Sequence, residues 1–314
     1  MCAKTKKKTG ASGEDVLKNK VTILGVTFDS LSLDEAVDRA WDFVAARRGV
    51  YIVTPNPEIV MVCRSDPEAK RAVEGAALTV PDGIGVVYAA RLRHTPVAGR
   101  VPGIDMTTAL LERMGREQKR VFLLGSKPGV AEAAGEKLTA RFPGLVICGT
   151  YDGYFQDSGP VIKAVNRARP DLMLVCLGFP KQEKWMYEHA GELDVGLMIG
   201  AGGSLDVFAG VAERAPERWQ RLGLEWLYRL KREPKRFVRM LALPKFLALA
   251  LLEPKKTRRA NEAAAAERLR RRAAEGSGKS GKPGPAAEAE EVRVYIPAKK
   301  RAAGDANRPG GGEK

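Results

Sequence analysis

Short apolar runs alternate with longer amphipathic stretches between residues 21 and 200. The runs are VTILGV (21–26), VYIV (50–53), ALTV (77–80), VFLLG (121–125), LVICGT (145–150), LMLVCLG (172–178) and VGLMIG (195–200). Short runs rich in β-branched side chains are typical of buried strands, and the longer stretches between them are typical of helices. The alternation predicts an α/β domain with a Rossmann-like, mostly parallel sheet and helices on both faces.

The first predicted helix opens on a capping box. Ser32 and Glu35 have the spacing at which each side chain bonds the backbone N–H of the other residue. We predict a helix from this point to about Arg48. It lies between the runs VTILGV and VYIV, so these runs are expected to be two strands joined by a helix.

Changes in composition divide the chain into four segments. We predict a disordered basic arm at 1–19, the α/β catalytic domain at 20–212, a basic helical appendage at 213–253, and a low-complexity tail, partly helical or disordered, at 254–314. The opening residues, MCAKTKKKTGASGED, lack the apolar stretch of a signal peptide. We therefore expect a protein that stays in the cytoplasm.

The formal net charge of +15 favours an anionic partner, which could be nucleic acid, an anionic membrane or a phosphorylated substrate. Residues 213–259 carry 14 Lys and Arg against 5 Glu. Residues 234–252 combine basic and bulky apolar residues, but only 7 uninterrupted apolar residues follow Lys245, against about 20 needed to cross a bilayer. We predict an interfacial, membrane-docking helix; the alternative is a helix packed on the domain with a solvated charged side.

The sequence offers few residues suited to metal or redox chemistry. The four cysteines lie far apart, and Cys63, Cys148 and Cys176 sit in or beside apolar runs, as reduced buried thiols do. The two histidines have no ligand spacing and no DxD pair occurs, so neither a metal ion nor another cofactor is expected. The absence of GxGxxG and GxxxxGK[ST] argues against a dinucleotide-dependent epimerase or dehydrogenase and against a P-loop enzyme.

Small and polar residues follow the apolar runs, where parallel sheets bind ligands. They are Thr54 and Asn56 after VYIV, Asp82 after ALTV, Gly125 after VFLL, Gln182 after LMLVCL, and Gly202, Gly203 and Asp206 after VGLMI. Asp82 is a candidate general base, and the alternative is an Asx-turn or helix cap. The glycines could bring backbone N–H groups to a phosphate, or they could serve turn geometry alone.

Taken in order, the strings between residues 20 and 245 resemble the WecG/TagA/CpsF glycosyltransferase family. The resemblance rests on TPN (54–56), PDGIGV (81–86), RVPGID (100–105), PKQEKW (180–185), GAGG (200–203) with Asp206, Gly210, RAP (214–216), Trp219 and LEWLYRL (224–230). It implies an inverting, metal-independent transfer of N-acetylmannosamine, or its uronic acid, from a UDP-sugar to GlcNAc-diphospho-undecaprenol. The product would enter teichoic acid or another surface polymer, made at the inner face of the plasma membrane.

The resemblance also implies roles for individual residues. Asp82 matches the general base, with Thr54 and Gln182 beside it as catalytic residues. The substrate-binding positions are Asn56, Arg100, Gly125, Gly202, Gly203 and Asp206, of which Arg100 is a candidate for the lipid diphosphate. The appendage would complete the site and dock on the membrane, and its matching arginines are Arg229, Arg236 and Arg239.

Two departures from the family pattern stand out. Leu205 replaces the aromatic residue often found before Asp206, and the tail after Glu253 has no counterpart. Nucleic acid is not an expected partner, and a homo-oligomer stays open. The competing hypothesis is a non-catalytic α/β protein that binds membrane or nucleic acid through its basic end, which explains the charge but not the clustered strand-end residues.

Overall fold

Six parallel strands form the central sheet, in the order β4-β3-β8-β7-β5-β6. The computed structural model describes residues 20–232, residue 237 and residues 241–253. The strands are β1 Lys20–Ile23, β2 Val26–Asp29, β3 Val50–Val53, β4 Leu78–Thr79, β5 Arg120–Gly125, β6 Val146–Tyr151, β7 Leu172–Cys176 and β8 Leu197–Gly200. The helices are α1 Leu33–Ala45, α2 Pro57–Cys63, α3 Pro67–Glu74, α4 Ile84–Leu92, α5 Gly103–Arg116, α6 Val130–Arg141, α7 Gly159–Ala168, α8 Lys181–His189, α9 Ser204–Phe208, α10 Glu217–Arg221, α11 Glu225–Arg232 and α12 Ala242–Leu252.

Alternate residues of the strands point to opposite faces of the sheet and build two cores. Phe122, Leu124 and Met173 belong to one core, which α2, α3, α4, α7, α8 and α12 cover. Leu123 and Leu174 belong to the other, which α1, α5, α6 and α9 cover. The predicted α/β class, with a parallel sheet flanked by helices, is confirmed.

The capping box at the start of α1 is also confirmed. The Ser32 hydroxyl accepts a hydrogen bond from the Glu35 N–H at 3.2 Å, and the Glu35 carboxylate accepts one from the Ser32 N–H at 2.9 Å. The helix ends at Ala45 rather than near Arg48, because Arg47 and Gly49 adopt positive φ angles of 44° and 62°.

The run VTILGV is not a strand of the parallel sheet, so that part of the prediction is wrong. The chain reverses at Leu24 and Gly25, whose φ angles are 48° and 85°, and β1 and β2 pair as a separate antiparallel hairpin. Two successive positive φ angles suit a two-residue hairpin turn. The Asp29 carboxylate accepts a hydrogen bond from the Thr79 N–H at 2.9 Å, which attaches the hairpin to β4.

Helix α12 packs on the body of the domain. Phe246 and Ala250 are buried in the core that α2 and α4 also line. A Cβ at Gly85 would lie 2.6 Å from Leu243 Cδ1, so the glycine permits the close approach of α12 to α4. One face of α12, which lies within the segment predicted to lie on lipid, is therefore packed against protein, and its opposite face is exposed.

Three cysteines, Cys63, Cys148 and Cys176, are buried and unpaired, as predicted. Their burial raises the pKa of each thiol, to about 12, 11 and 12 respectively. In the part of the chain that the structure describes, no helix combines the length and apolar character needed to cross a bilayer.

Candidate active site

The carboxyl ends of the parallel strands bring the predicted residues to one edge of the sheet. Asp82 follows β4 at the end of the strand order, and Thr54 follows the neighbouring β3. Gly202 follows β8, Gln182 lies at the start of α8, which follows β7, and Gly125 is the last residue of β5. The edge thus has a side near Asp82 and a glycine-rich side near the middle of the sheet.

The backbone around Asp82 is fixed by hydrogen bonds to two neighbouring segments. The Asp82 N–H donates to the Pro55 carbonyl at 3.3 Å, and the Pro81 carbonyl accepts from the Val101 N–H at 2.8 Å. The Gly103 N–H at the start of α5 hydrogen-bonds the Asp82 carboxyl. Asp82 therefore lies at the positive end of a 14-residue helix, where a carboxylate is favoured.

Two glycines let the neighbouring chain segments approach Asp82 closely. A Cβ at Gly103 would lie 2.9 Å from Thr54 Oγ1, and one at Gly83 would lie 2.5 Å from Pro57 Cδ. Thr54 and Asp82 are separated in sequence, but both lie next to Gly103 at the start of α5. The structure brings together these two predicted residues.

Burial raises the pKa of Asp82 to about 6. The positive charges of Arg229 and Arg100 act in the opposite direction, as does the hydrogen bond from Gly103, while Glu225 adds to the rise. A carboxyl with a pKa near that value is ionised at neutral pH and still basic enough to accept a proton from a reacting hydroxyl.

Two of the charged residues that act on the Asp82 carboxyl, Arg100 and Glu225, form an ion pair with each other. Arg100 Nη1 lies 2.9 Å from Glu225 Oε2 at the start of α11, and Arg214 Nε lies 3.3 Å from Glu225 Oε1. Arg214 also binds Asp105 through two hydrogen bonds of 2.5 and 2.9 Å. The predicted diphosphate residue Arg100 is thus held by the appendage in this structure.

Asn56 has a structural role that the sequence pattern did not reveal. It is the N-cap of α2, and its Oδ1 accepts a hydrogen bond from the Ile59 N–H at 3.1 Å. The cap fixes the orientation of the side chain and leaves the Nδ2 amide as the group that could donate to a ligand.

Gln182 is held from both ends of its amide. Its Nε2 donates to Glu183 Oε1 at 2.8 Å, and its Oε1 accepts from the Gly202 N–H at 3.1 Å. Both side chains are buried. Glu183 therefore determines which end of the Gln182 amide faces the Gly202 turn.

Glu183 is a residue whose importance the sequence analysis missed. Burial raises its pKa to about 7, against the opposing hydrogen bond from Gln182. Its Oε2 has no hydrogen-bond partner among the described residues. The residue stood within the motif PKQEKW, but only the fold shows that its carboxyl points into the protein and not into solvent.

Asp206 and Gly125 meet through Ser126. The Ser126 hydroxyl donates to Asp206 Oδ1 at 2.6 Å, which orients that carboxylate toward the end of β5. Gly125 has a φ of 126°, and a Cβ there would lie 2.3 Å from the Cys176 carbonyl oxygen. Glycine is thus required at position 125 by the backbone itself, whatever ligand binds nearby.

The turn before α9 combines a glycine with positive φ and a buried anchor. Gly202 has a φ of 53°, and Gly203 is the N-cap residue of α9. Leu205 is fully buried in the core beneath the turn. The departure from the family pattern at Leu205 therefore concerns core packing, because this side chain does not reach the ligand edge.

Of the three arginines predicted in the appendage, Arg229 is exposed on α11, and Arg236 and Arg239 lie outside the described residues. Among the residues that the structure does describe, no three His, Cys, Asp or Glu side chains form a group that could hold a metal ion. The positive charges of Arg229 and Arg100 act on the Asp82 carboxyl.

Residues 21–260 match the glycosyl transferase WecG/TagA/CpsF family. Two similar proteins share the name N-acetylglucosaminyldiphosphoundecaprenol N-acetyl-beta-D-mannosaminyltransferase. One, from Bacillus subtilis (strain 168), is 38% identical over 213 residues, which cover 68% of this chain and 83% of the relative. The other, from Staphylococcus aureus (strain MW2), is 36% identical over 231 residues, which cover 73% of this chain and 91% of the relative.

The matched region extends from β1 through the whole ligand edge and into the appendage. It includes Asp82, Gln182 and Asp206, together with the ion pairs made by Glu225. The chain therefore belongs to the WecG/TagA/CpsF family of glycosyl transferases, as its motifs indicated.

Proposed function

We propose that this protein transfers N-acetylmannosamine, or its uronic acid, from a UDP donor to a hydroxyl of GlcNAc-diphospho-undecaprenol. The reaction inverts the anomeric carbon and needs no divalent metal ion. The names of the relatives from Bacillus subtilis and Staphylococcus aureus support the sugar and the acceptor. The observation on which the chemistry rests is the Asp82 carboxyl, which has a pKa of about 6 and two arginines acting on it.

Asp82 acts as the general base. The acceptor hydroxyl loses its proton to the carboxylate as the oxygen attacks the anomeric carbon from the side opposite UDP. The new C–O bond forms while the bond to the UDP oxygen breaks, and UDP leaves with the bonding electron pair. A single displacement of this kind gives the opposite anomeric configuration from that of the donor.

The leaving diphosphate develops negative charge, which must be stabilised by nearby donors and cations. Arg229 supplies positive charge from the appendage, and the Gly203 N–H supplies a donor at the glycine turn. Arg236 and Arg239 are proposed to add to this set. These groups perform the charge stabilisation for which many transferases use a metal ion.

The two sides of the edge divide the substrates. The nucleotide is proposed to bind at the glycine turn, with Asp206 oriented by Ser126 toward the uridine and Gln182 fixed by Glu183 beside it. The sugar is proposed to lie toward Asp82 between Thr54 and Asn56. The lipid diphosphate is proposed to bind Arg100.

We further propose that the protein binds peripherally to the inner face of the plasma membrane. Leu251 and Leu252 on the outer face of α12, and Leu241 just before the helix, are exposed together with the basic side chain of Lys245. The exposed Tyr88 and Leu92 lie on α4, against which α12 packs. Exposed apolar side chains with neighbouring positive charge suit the boundary of an anionic bilayer.

The test is UDP release in EDTA with a short-chain GlcNAc-diphospho-lipid acceptor. UDP-N-acetylmannosamine and its uronic acid are compared as donors, and the product linkage is determined by NMR at the anomeric centre. We expect acceptor-dependent release with one of the donors and a β-linked product. Folded protein that releases no UDP from either donor, or an absolute need for added Mg²⁺, would contradict the proposal.

A further inference from the structure

Helix α11 is attached to the domain by ion pairs at its first residue. None of its residues is fully buried, so apolar packing alone gives it little hold. Its first residue, Glu225, binds two arginines that come from different parts of the chain. Arg100 lies in the loop before α5, and Arg214 lies between α9 and α10.

These ion pairs are partly shielded from water. The exposed fractions of the side chains are 19% for Arg100, 14% for Glu225 and 22% for Arg214. Arg214 is held in turn by both carboxylate oxygens of Asp105 in α5. A shielded network that shares several charges is a stronger restraint than a single solvated pair.

Arg229 follows Glu225 by four residues on α11. Residues four apart lie on the same side of a helix, one turn from each other. Among the charges that act on the Asp82 carboxyl, Arg229 has the largest effect in lowering its pKa. The side of α11 that is tied down at Glu225 is therefore the side that presents Arg229 to Asp82.

We propose that Glu225 is a positioning residue for the transfer reaction. By binding Arg100 and Arg214 at once, it fixes the angle and register of α11 so that Arg229 faces the Asp82 carboxyl. Glu225 does not itself touch the substrates. This role rests on the proposed function of Asp82, but the attachment of α11 to the domain does not.

The competing role for Glu225 is that of a local negative charge. In that case its removal would change the field at Asp82 but leave α11 and Arg229 in place. The two roles differ in how a second change at Arg229 acts. If Glu225 positions Arg229, both substitutions remove the same contribution of Arg229. Their effects on kcat therefore do not add.

The experiment combines a double-mutant cycle with hydrogen exchange on the full-length protein. Glu225→Gln, Arg229→Gln and the double variant are assayed for kcat and KM, and the amide exchange of residues 225–232 is measured without substrate. Glu217→Gln is the matched control, because it removes the same charge from an exposed pair with Arg221 on the neighbouring α10. Exchange in β5 and β7 reports whether each variant is folded.

We expect Glu225→Gln to lower kcat by about tenfold, which corresponds to a weakened contact to the transition state. Exchange in residues 225–232 should rise, and Arg229→Gln should then lower kcat by less than about twofold further. The control should change neither measurement. Exchange equal to the wild type in folded Glu225→Gln, or the full Arg229→Gln effect on top of it, would overturn the positioning role.

The two measurements separate the failure of this inference from that of the proposed function. Raised exchange in Glu225→Gln without any wild-type transfer of N-acetylmannosamine would refute the function but retain Glu225 as the attachment of α11. Transfer by the wild type with unchanged exchange in the variant would refute the inference alone.

Discussion

Replacing Glu183 by Gln isolates the effect of one buried carboxyl on folding. Gln keeps the shape of the side chain and an oxygen that can accept the hydrogen bond from Gln182 Nε2, now 2.8 Å long. It removes the only group at this position that ionises. We expect the variant to become more stable than the wild type as the pH rises.

The magnitude follows from the pKa of Glu183. Burial raises it from the ordinary value of 4.5 to about 7, a difference of about 2.5. Each pKa unit is equivalent to about 1.4 kcal/mol, so ionising the carboxyl inside the fold costs about 3 kcal/mol. Because the pKa is raised in the fold, Glu183 does not destabilise the wild type below pH 4.5. The contribution of about 3 kcal/mol is lost as the pH rises through about 7.

The assay is urea unfolding of both proteins at about pH 4.5 and about pH 8.5, on either side of the titration. Any fixed cost of placing an amide beside the unsatisfied Oε2 position is the same at both values and cancels. The difference in free energy of unfolding should move in favour of Glu183→Gln by about 3 kcal/mol at the higher pH. An equal difference at both pH values would refute the raised pKa of Glu183.

Other parts of the site and surface give three further predictions. In the pH profile, kcat/KM should fall about tenfold per pH unit below an apparent pKa of about 6, because Asp82 must be ionised to accept a proton. An apparent pKa of about 4 would contradict this. Gly125→Ala should lower the melting temperature by about 6 °C or more, since its Cβ would meet the Cys176 carbonyl, whereas Gly191→Ala, with open space around it, should have little effect. Leu252→Glu should weaken co-sedimentation with phosphatidylglycerol vesicles by about tenfold, and unchanged binding would exclude the outer face of α12 from the membrane contact.

The sequence predicted those features that depend on neighbours along the chain. The apolar runs located all six strands of the parallel sheet, and the Ser32 capping box located the start of α1. The rule that ligands bind beyond the carboxyl ends of parallel strands selected Asp82 and Thr54, both of which lie next to Gly103 in the structure. The hairpin was missed because the Leu24–Gly25 turn lies inside an apolar run. The sequence therefore predicted one strand where the chain forms a turn between two strands.

Features that depend on distant pairs could not be predicted in this way. Glu225 and Arg100 are 125 residues apart, and nothing in either local pattern indicates that they bind each other. The burial of Glu183 depends on how α8 packs against the rest of the domain. Its position next to Gln182 in the sequence is equally compatible with an exposed side of the helix. The capping role of Asn56 was readable in principle, since Asn before Pro57 is a common start of a helix.

The central claim is that Asp82 is the base that activates the acceptor hydroxyl. The most direct test compares acceptor-dependent UDP release by the wild type, Asp82→Asn and the exposed control Asp42→Asn at neutral pH, with all three proteins shown to be folded. We predict that Asp82→Asn lowers kcat by about a hundredfold or more, while Asp42→Asn matches the wild type. An Asp82→Asn enzyme that retains wild-type kcat would contradict the account.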